Sequence, residues 1–82
     1  MHLSLPDIAA RRGVVLKRQG SEWVACCPFH RERTPSFKIF AGYRGERFHC
    51  FGCGRSGDAV EFVALMEGVE RGVARSIVMG AR

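Results

Sequence analysis

The sequence predicts a small α+β domain: a short N-terminal helix, an antiparallel sheet of three or four strands, and two C-terminal helices. Three observations carry that expectation. The chain has 82 residues, room for one small domain. Its middle reads as strands between turn signals, whereas both flanks carry helical spacing and caps. Four potential metal ligands stand in two pairs of equal gap, Cys27 with His30 and Cys50 with Cys53. The expected layout is a single unit over residues 1–82, with a helix over 4–12, a metal-bound ribbon over 14–54 and a helical part over 58–79.

Each element has a local cause. Ser4 followed three residues later by Asp7 resembles a capping box, Pro6 lies in the first turn, and Gly13 suits a C-cap. Leu5, Ile8 and Ala9 then share the buried side. Val14-Val15-Leu16 is a short apolar run, Gln19-Gly20-Ser21 a turn, and Trp23-Val24-Ala25 the returning strand. In residues 36–40, Phe37 and Ile39 face one way and Ser36, Lys38 and Phe40 the other. A hairpin loop over 42–45 leads into Arg47-Phe48-His49-Cys50. Asp58 with Glu61 is a second capping pattern, opening an apolar helix that Gly68 interrupts. Val69, Val73 and Ile77, with Val78 beside them, set the stripe of the last helix.

Composition bounds the function. Hydrophobic residues make up 46% of the chain and charged ones 26%, as in a folded protein rather than a disordered one. A core this small supplies about 3–5 kcal/mol, so a staple is expected. No apolar run is long enough for a membrane helix, and the first residues lack a secretory signal, which points to a reducing compartment and away from disulfides. The net charge is +5, and 11 of the 13 basic residues are Arg, which suits an anionic partner such as phosphate.

The staple is a metal. Two residues between ligands let a tight turn aim both side chains at one point, and two such turns make the tetrahedron that Zn²⁺ accepts. Pro28 pre-sets the backbone after Cys27, and Gly52 and Gly54 allow unusual angles around the second pair, where N–H groups must point at sulfur. Cys27, His30, Cys50 and Cys53 form a closed structural site for one Zn²⁺, with no position left for a catalytic water. Cys26 and His49 alternate away from the metal.

These residues resemble a known family. Cys27-Pro28-Phe29-His30-Arg31-Glu32-Arg33-Thr34-Pro35-Ser36-Phe37, then Phe48-His49-Cys50-Phe51-Gly52-Cys53-Gly54, then Gly57-Asp58 opening a helix, look like the N-terminal zinc ribbon of bacterial and phage DnaG-type DNA primases. The resemblance runs from about residue 7 to 79. It implies the same four ligands and a module that binds single-stranded template DNA and helps to choose where primers start. It also implies a non-catalytic role: the family's polymerase chemistry lies in a separate domain, and no acidic cluster replaces it here. The module would sit within a longer primase or act in trans beside one, in the cytoplasm of a bacterial or phage-infected cell and associated with the nucleoid. Its partners would be the template, the primase polymerase domain and a replicative helicase, with no membrane.

Single-strand binders combine a basic track with aromatic platforms on which bases stack. Six of the 13 basic residues fall within residues 31–55, with aromatics interleaved. Alternation puts Lys38 and Phe40 on one strand face and Arg47 and His49 on the next. Arg33, Lys38, Phe40, Tyr43, Arg44, Arg47, His49 and Arg55 are therefore the candidate DNA contacts. Phe37 and Phe48 are expected in the core; Phe40 and Tyr43 suit either core or base stacking. The alternative reading is a zinc-ribbon protein–protein adaptor that docks a polymerase or helicase through the apolar helices, in a phage or mobile-element replication system.

Overall fold

The computed structural model describes residues 4–29, 35–43 and 45–80. Helix α1 (Leu5–Arg11) precedes a five-stranded antiparallel sheet: β1 (Lys17–Gln19), β2 (Glu22–Ala25), β3 (Phe37–Gly42), β4 (Gly45–Cys50) and β5 (Ser56–Gly57). Helices α2 (Ala59–Glu67) and α3 (Arg71–Gly80) follow. The strands pair in sequence order, each with the next. None of these helices is long and apolar enough to cross a membrane.

The caps form as the sequence suggests. The Ser4 hydroxyl accepts the Asp7 amide proton and donates to the Asp7 carboxylate at 2.8 Å. Leu5, Ile8 and Ala9 are buried. The first free amide of α1, on Leu5, donates to the Glu46 carboxylate of β4 at 2.9 Å, and Arg12 pairs with Glu67 of α2 at 2.9 Å. These two contacts tie α1 to the sheet and to α2. Asp58 accepts the Glu61 amide at 2.9 Å, and Gly68 ends α2 with a left-handed φ of +68°. Arg71, at the start of α3, pairs with Asp58 and Glu61 at the start of α2.

Three details depart from the sequence reading. The sheet has five strands rather than three or four, because residues 56–57 add a short edge beside β4. The first strand is Lys17–Gln19 rather than the apolar run before it. The two-residue turn at Gly20-Ser21 forces pairing to begin at Gln19 and Glu22. Val14 instead packs under α1, where its amide bonds the Ala9 carbonyl. On α3, Ala74 and Val78 are buried, whereas Val73 and Ile77 are 49% and 39% exposed. The contact with α2 lies about 100° from the centre of the apolar stripe, because it is made through the smaller Ala74.

The core lies between one sheet face and the helices. Phe37, Ile39, Phe48 and Phe62 are fully buried, and Phe29 packs against three of these rings at centroid distances of 5.6–6.2 Å. Gly57 explains how α2 comes so close to β4. A Cβ there would lie 2.5 Å from the Glu61 Cβ and 3.4 Å from the Phe48 ring, at a φ that side chains rarely adopt. Gly57→Ala is expected to cost about 1–3 kcal/mol, read as a lower melting temperature of the zinc-loaded protein.

Candidate metal centre and nucleic-acid interface

The sulfurs of Cys27, Cys50 and Cys53 lie within 4.8 Å of one another. Cys27 follows β2, Cys50 ends β4, and Cys53 lies in the turn before β5. The two turns belong to strands separated by β3, and the common register of Ala25, Phe37 and Cys50 brings their ends level. Cys27 and Cys50 are buried, Cys53 is half-buried, and Cys26 is exposed, as alternation requires. His30 lies outside the described residues.

This pocket suits a soft cation. The Cys27 and Cys53 sulfurs are 3.8 Å apart, far beyond a disulfide bond of about 2.05 Å. That spacing equals the edge of a tetrahedron with Zn–S bonds of about 2.3 Å, roughly 3.8 Å. Backbone N–H groups point at sulfur: Phe29 donates to Cys27 at 3.4 Å, and Gly52 and Cys53 donate to Cys50. Gly54 provides the left-handed backbone (φ +81°) after the second pair; Gly52 contributes only its amide.

The thiols show what a metal must overcome. Burial pushes Cys27 up to about 12; the Phe29 amide opposes this, and the Cys50 and Cys53 sulfurs add to it. Burial also pushes Cys50 up, but the Ser36 hydroxyl, the Cys53 and Gly52 amides and the Cys27 thiol outweigh it and bring it down to about 7. The environment thus raises one sulfur and lowers another, and a cation bound among them would offset the cost of holding them together as thiolates.

The sheet face away from the core gathers another set. Lys38 stands directly opposite His49, and Phe40 opposite Arg47. These four side chains form a two-by-two patch, since residues paired across strands share a face. Phe51 extends it: its ring lies 4.4 Å from the His49 ring, with the Lys38 ammonium 5.9 Å from its centroid. Lys38 also pairs with Glu22 at 3.6 Å. Tyr43 is 98% exposed at the tip of the β3–β4 hairpin. Arg55 lies elsewhere, its guanidinium 5.9 Å from the Phe29 ring on the core side of the sheet. Arg33 and Arg44 lie outside the described residues.

Lys17 is the member that the sequence reading missed. It pairs with Val24, which pairs with Lys38, so one row runs Lys17, Val24, Lys38, His49, Ser56 across all five strands. The tight turn at Gly20-Ser21 is the signal that could have found it.

Known proteins share this geometry. The profile of the CHC2 zinc finger, the zinc ribbon of DnaG-type primases, matches residues 2–78. The DNA primase of Legionella pneumophila is 54% identical over 50 residues, covering 61% of this chain and 8% of that protein. The DNA primase of Chlamydia trachomatis is 51% identical over 55 residues, covering 67% and 9%. That of Escherichia coli strain K12 is 42% identical over 74 residues, covering 78% and 12%. The chain therefore spans 8–12% of the length of these relatives. In three dimensions it resembles the crystal structure of the Aquifex aeolicus primase zinc-binding and RNA polymerase domains. The TM-score is 0.81 and the identity 33%, over 95% of this chain and 19% of that one.

Proposed function

This chain belongs to the CHC2 zinc finger family of DnaG-type primases, and on that premise we propose that it is a non-catalytic module of a DNA primase that holds single-stranded template for primer initiation. Zinc is its cofactor, held by Cys27, Cys50 and Cys53 with His30 as the fourth ligand. Four protein ligands leave the metal a purely structural role. It locks the ends of β2 and β4, so the outer sheet face keeps its shape.

One observation carries the reading: two cross-strand pairs present Lys38, Phe40, Arg47 and His49 on a single face, with Phe51 alongside. Cations there meet backbone phosphates, while rings offer faces to bases at about 1–3 kcal/mol each. The Lys38–Glu22 pair is partly exposed and worth no more than about 1 kcal/mol, so a phosphate can displace Glu22 at little cost. Tyr43, exposed at the hairpin tip, extends this surface in the proposal; Arg33 and Arg44, outside the described residues, stay candidate contacts on sequence grounds.

Fluorescence anisotropy with a labelled single-stranded oligonucleotide over a salt series tests it. Lys38→Gln with Arg47→Gln is expected to weaken binding by about tenfold at low salt and to flatten the log–log salt slope by about 1–2. Zinc content should stay at one per chain. Unchanged affinity and slope would remove this face from the template site. A second reading has its own observation: Leu65, Val73, Ile77 and Met79 leave apolar surface on α2 and α3, which suits docking to a polymerase or helicase partner.

A further inference from the structure

A groove of about 830 Å³ opens on the outer sheet face at its β1 end and runs into the patch assigned to template, with Lys38 among its lining residues. Val15, Val24, Pro28 and Pro35 give it aliphatic walls. Lys17 also lines it, on the row that leads across Val24 to Lys38. Val15 is 77% exposed, a large apolar side chain left in solvent just before a strand. No Asp or Glu lines the groove among the described residues. Three of its cations are already engaged: Arg12 with Glu67, Arg18 with the Gly20 carbonyl and the Trp23 ring, and Lys38 with Glu22. Lys17 is exposed, and no carboxylate pairs with it among the described residues.

One uncommitted cation beside one apolar cleft matches one phosphate and one base. Apolar side chains, as well as aromatic ones, hold a base that has left its stack, and the groove falls in the size range of nucleotide-sized sites, about 300–1,000 Å³. The path to it is also set by charge. Gln19 pairs with Glu22 one row over, so the neighbouring course from the patch to β1 meets a carboxylate, whereas the course over Val24 meets none. We infer that the template crosses the strands of the sheet rather than running along them. It passes from the Lys38–Arg47 patch over Val24, places a phosphate on Lys17 and leaves one unstacked base against the Val15 and proline side chains. Lys17 and Lys38 stand two strands apart, about 10 Å, a short step for a single strand. This inference rests on the proposal that the outer face holds template, and it adds the direction of the strand, a subsite at its end and a contact outside the patch.

The test is competition anisotropy on the zinc-loaded chain. Unlabelled oligothymidylates of about six nucleotides, intact or with an abasic residue at the 5′ or the 3′ end, displace a labelled tracer. Loss of the base at the groove end is expected to weaken binding about threefold to tenfold. Val15→Ser should weaken the intact oligonucleotide about threefold to fivefold and cancel the abasic effect at that end alone, the coupling that a shared contact produces. Lys17→Gln should flatten the log–log salt slope by about 1. Arg75→Gln on α3 removes the same charge at a distant exposed position and should leave the slope unchanged. The inference is overturned if neither end shows a base effect that depends on Val15, or if Lys17→Gln and Arg75→Gln change the slope equally. Should Lys38→Gln with Arg47→Gln weaken binding while Val15→Ser and Lys17→Gln do not, the groove alone is struck from the path. Should none of these variants change binding, the template reading of the whole face fails with it.

Discussion

Removing zinc with a chelator is expected to unfold the sheet, read as loss of strand signal in far-ultraviolet circular dichroism and collapse of amide dispersion in NMR spectra. Structural zinc contributes on the order of 10–16 kcal/mol apparent in zinc-finger peptides at neutral pH. The apolar core of a chain this size supplies only about 3–5 kcal/mol, so the metal decides the balance. The route of failure is specific. Without a cation, the burial that pushes Cys27 up to about 12 opposes gathering the sulfurs as thiolates. Phe29 lies two residues from Cys27, with its ring 5.7 Å from Phe48 and 5.6 Å from Phe62, so loss of the first knuckle pulls a ring from the core. Cys50→Ser should reproduce the chelated state even with zinc in excess. Cys26→Ser should retain stoichiometric metal, because Cys26 is exposed outside the sulfur cluster. A chelated protein that keeps its sheet, or a Cys26 variant that loses the metal, would contradict this account.

The second large effect is expected at Phe48. Its ring is fully buried and packs on Phe29, Phe37 and Phe62 at 5.6–5.7 Å. Truncation to Ala removes the ring and leaves a cavity, costing about 3–5 kcal/mol. A domain of this size loses roughly 4–8 °C of melting temperature per kcal/mol, so Phe48→Ala should melt on the order of 20 °C lower and bind zinc more weakly, since binding and folding are one equilibrium. Phe40→Ala is the matched comparison. It sits opposite Arg47 on the other face and is only half-buried, so it should cost far less stability while weakening oligonucleotide binding. Equal melting temperatures for the two variants would mean that the two faces do not divide the labour as described.

Much of this was legible in the chain itself because its causes are local. The caps at Ser4 and Asp58, the breaks at Gly20 and Gly68, the alternation that buries Phe37 and Phe48, and the orientation of Cys27 against Cys26 each depend on residues a few positions apart. Alternation also assigned Lys38 with Phe40, and Arg47 with His49, to shared faces. Other features depend on register between distant segments. Lys17 joins the outer row only because a two-residue turn sets its partner. Arg55 follows the second knuckle in sequence, yet the turn carries it to Phe29 on the core side.

By itself, the sequence determined the element types, the apolar faces and the ligand pairs, since helix caps, strand alternation and a two-residue knuckle are chemistry within one turn of chain. Only the tertiary structure decided that β3 lies between the two knuckles, that α3 packs through Ala74 and Val78, and that Val15 is left exposed before β1 while Val14 is buried. Those outcomes depend on which distant surfaces meet, and burial is shared among them all at once.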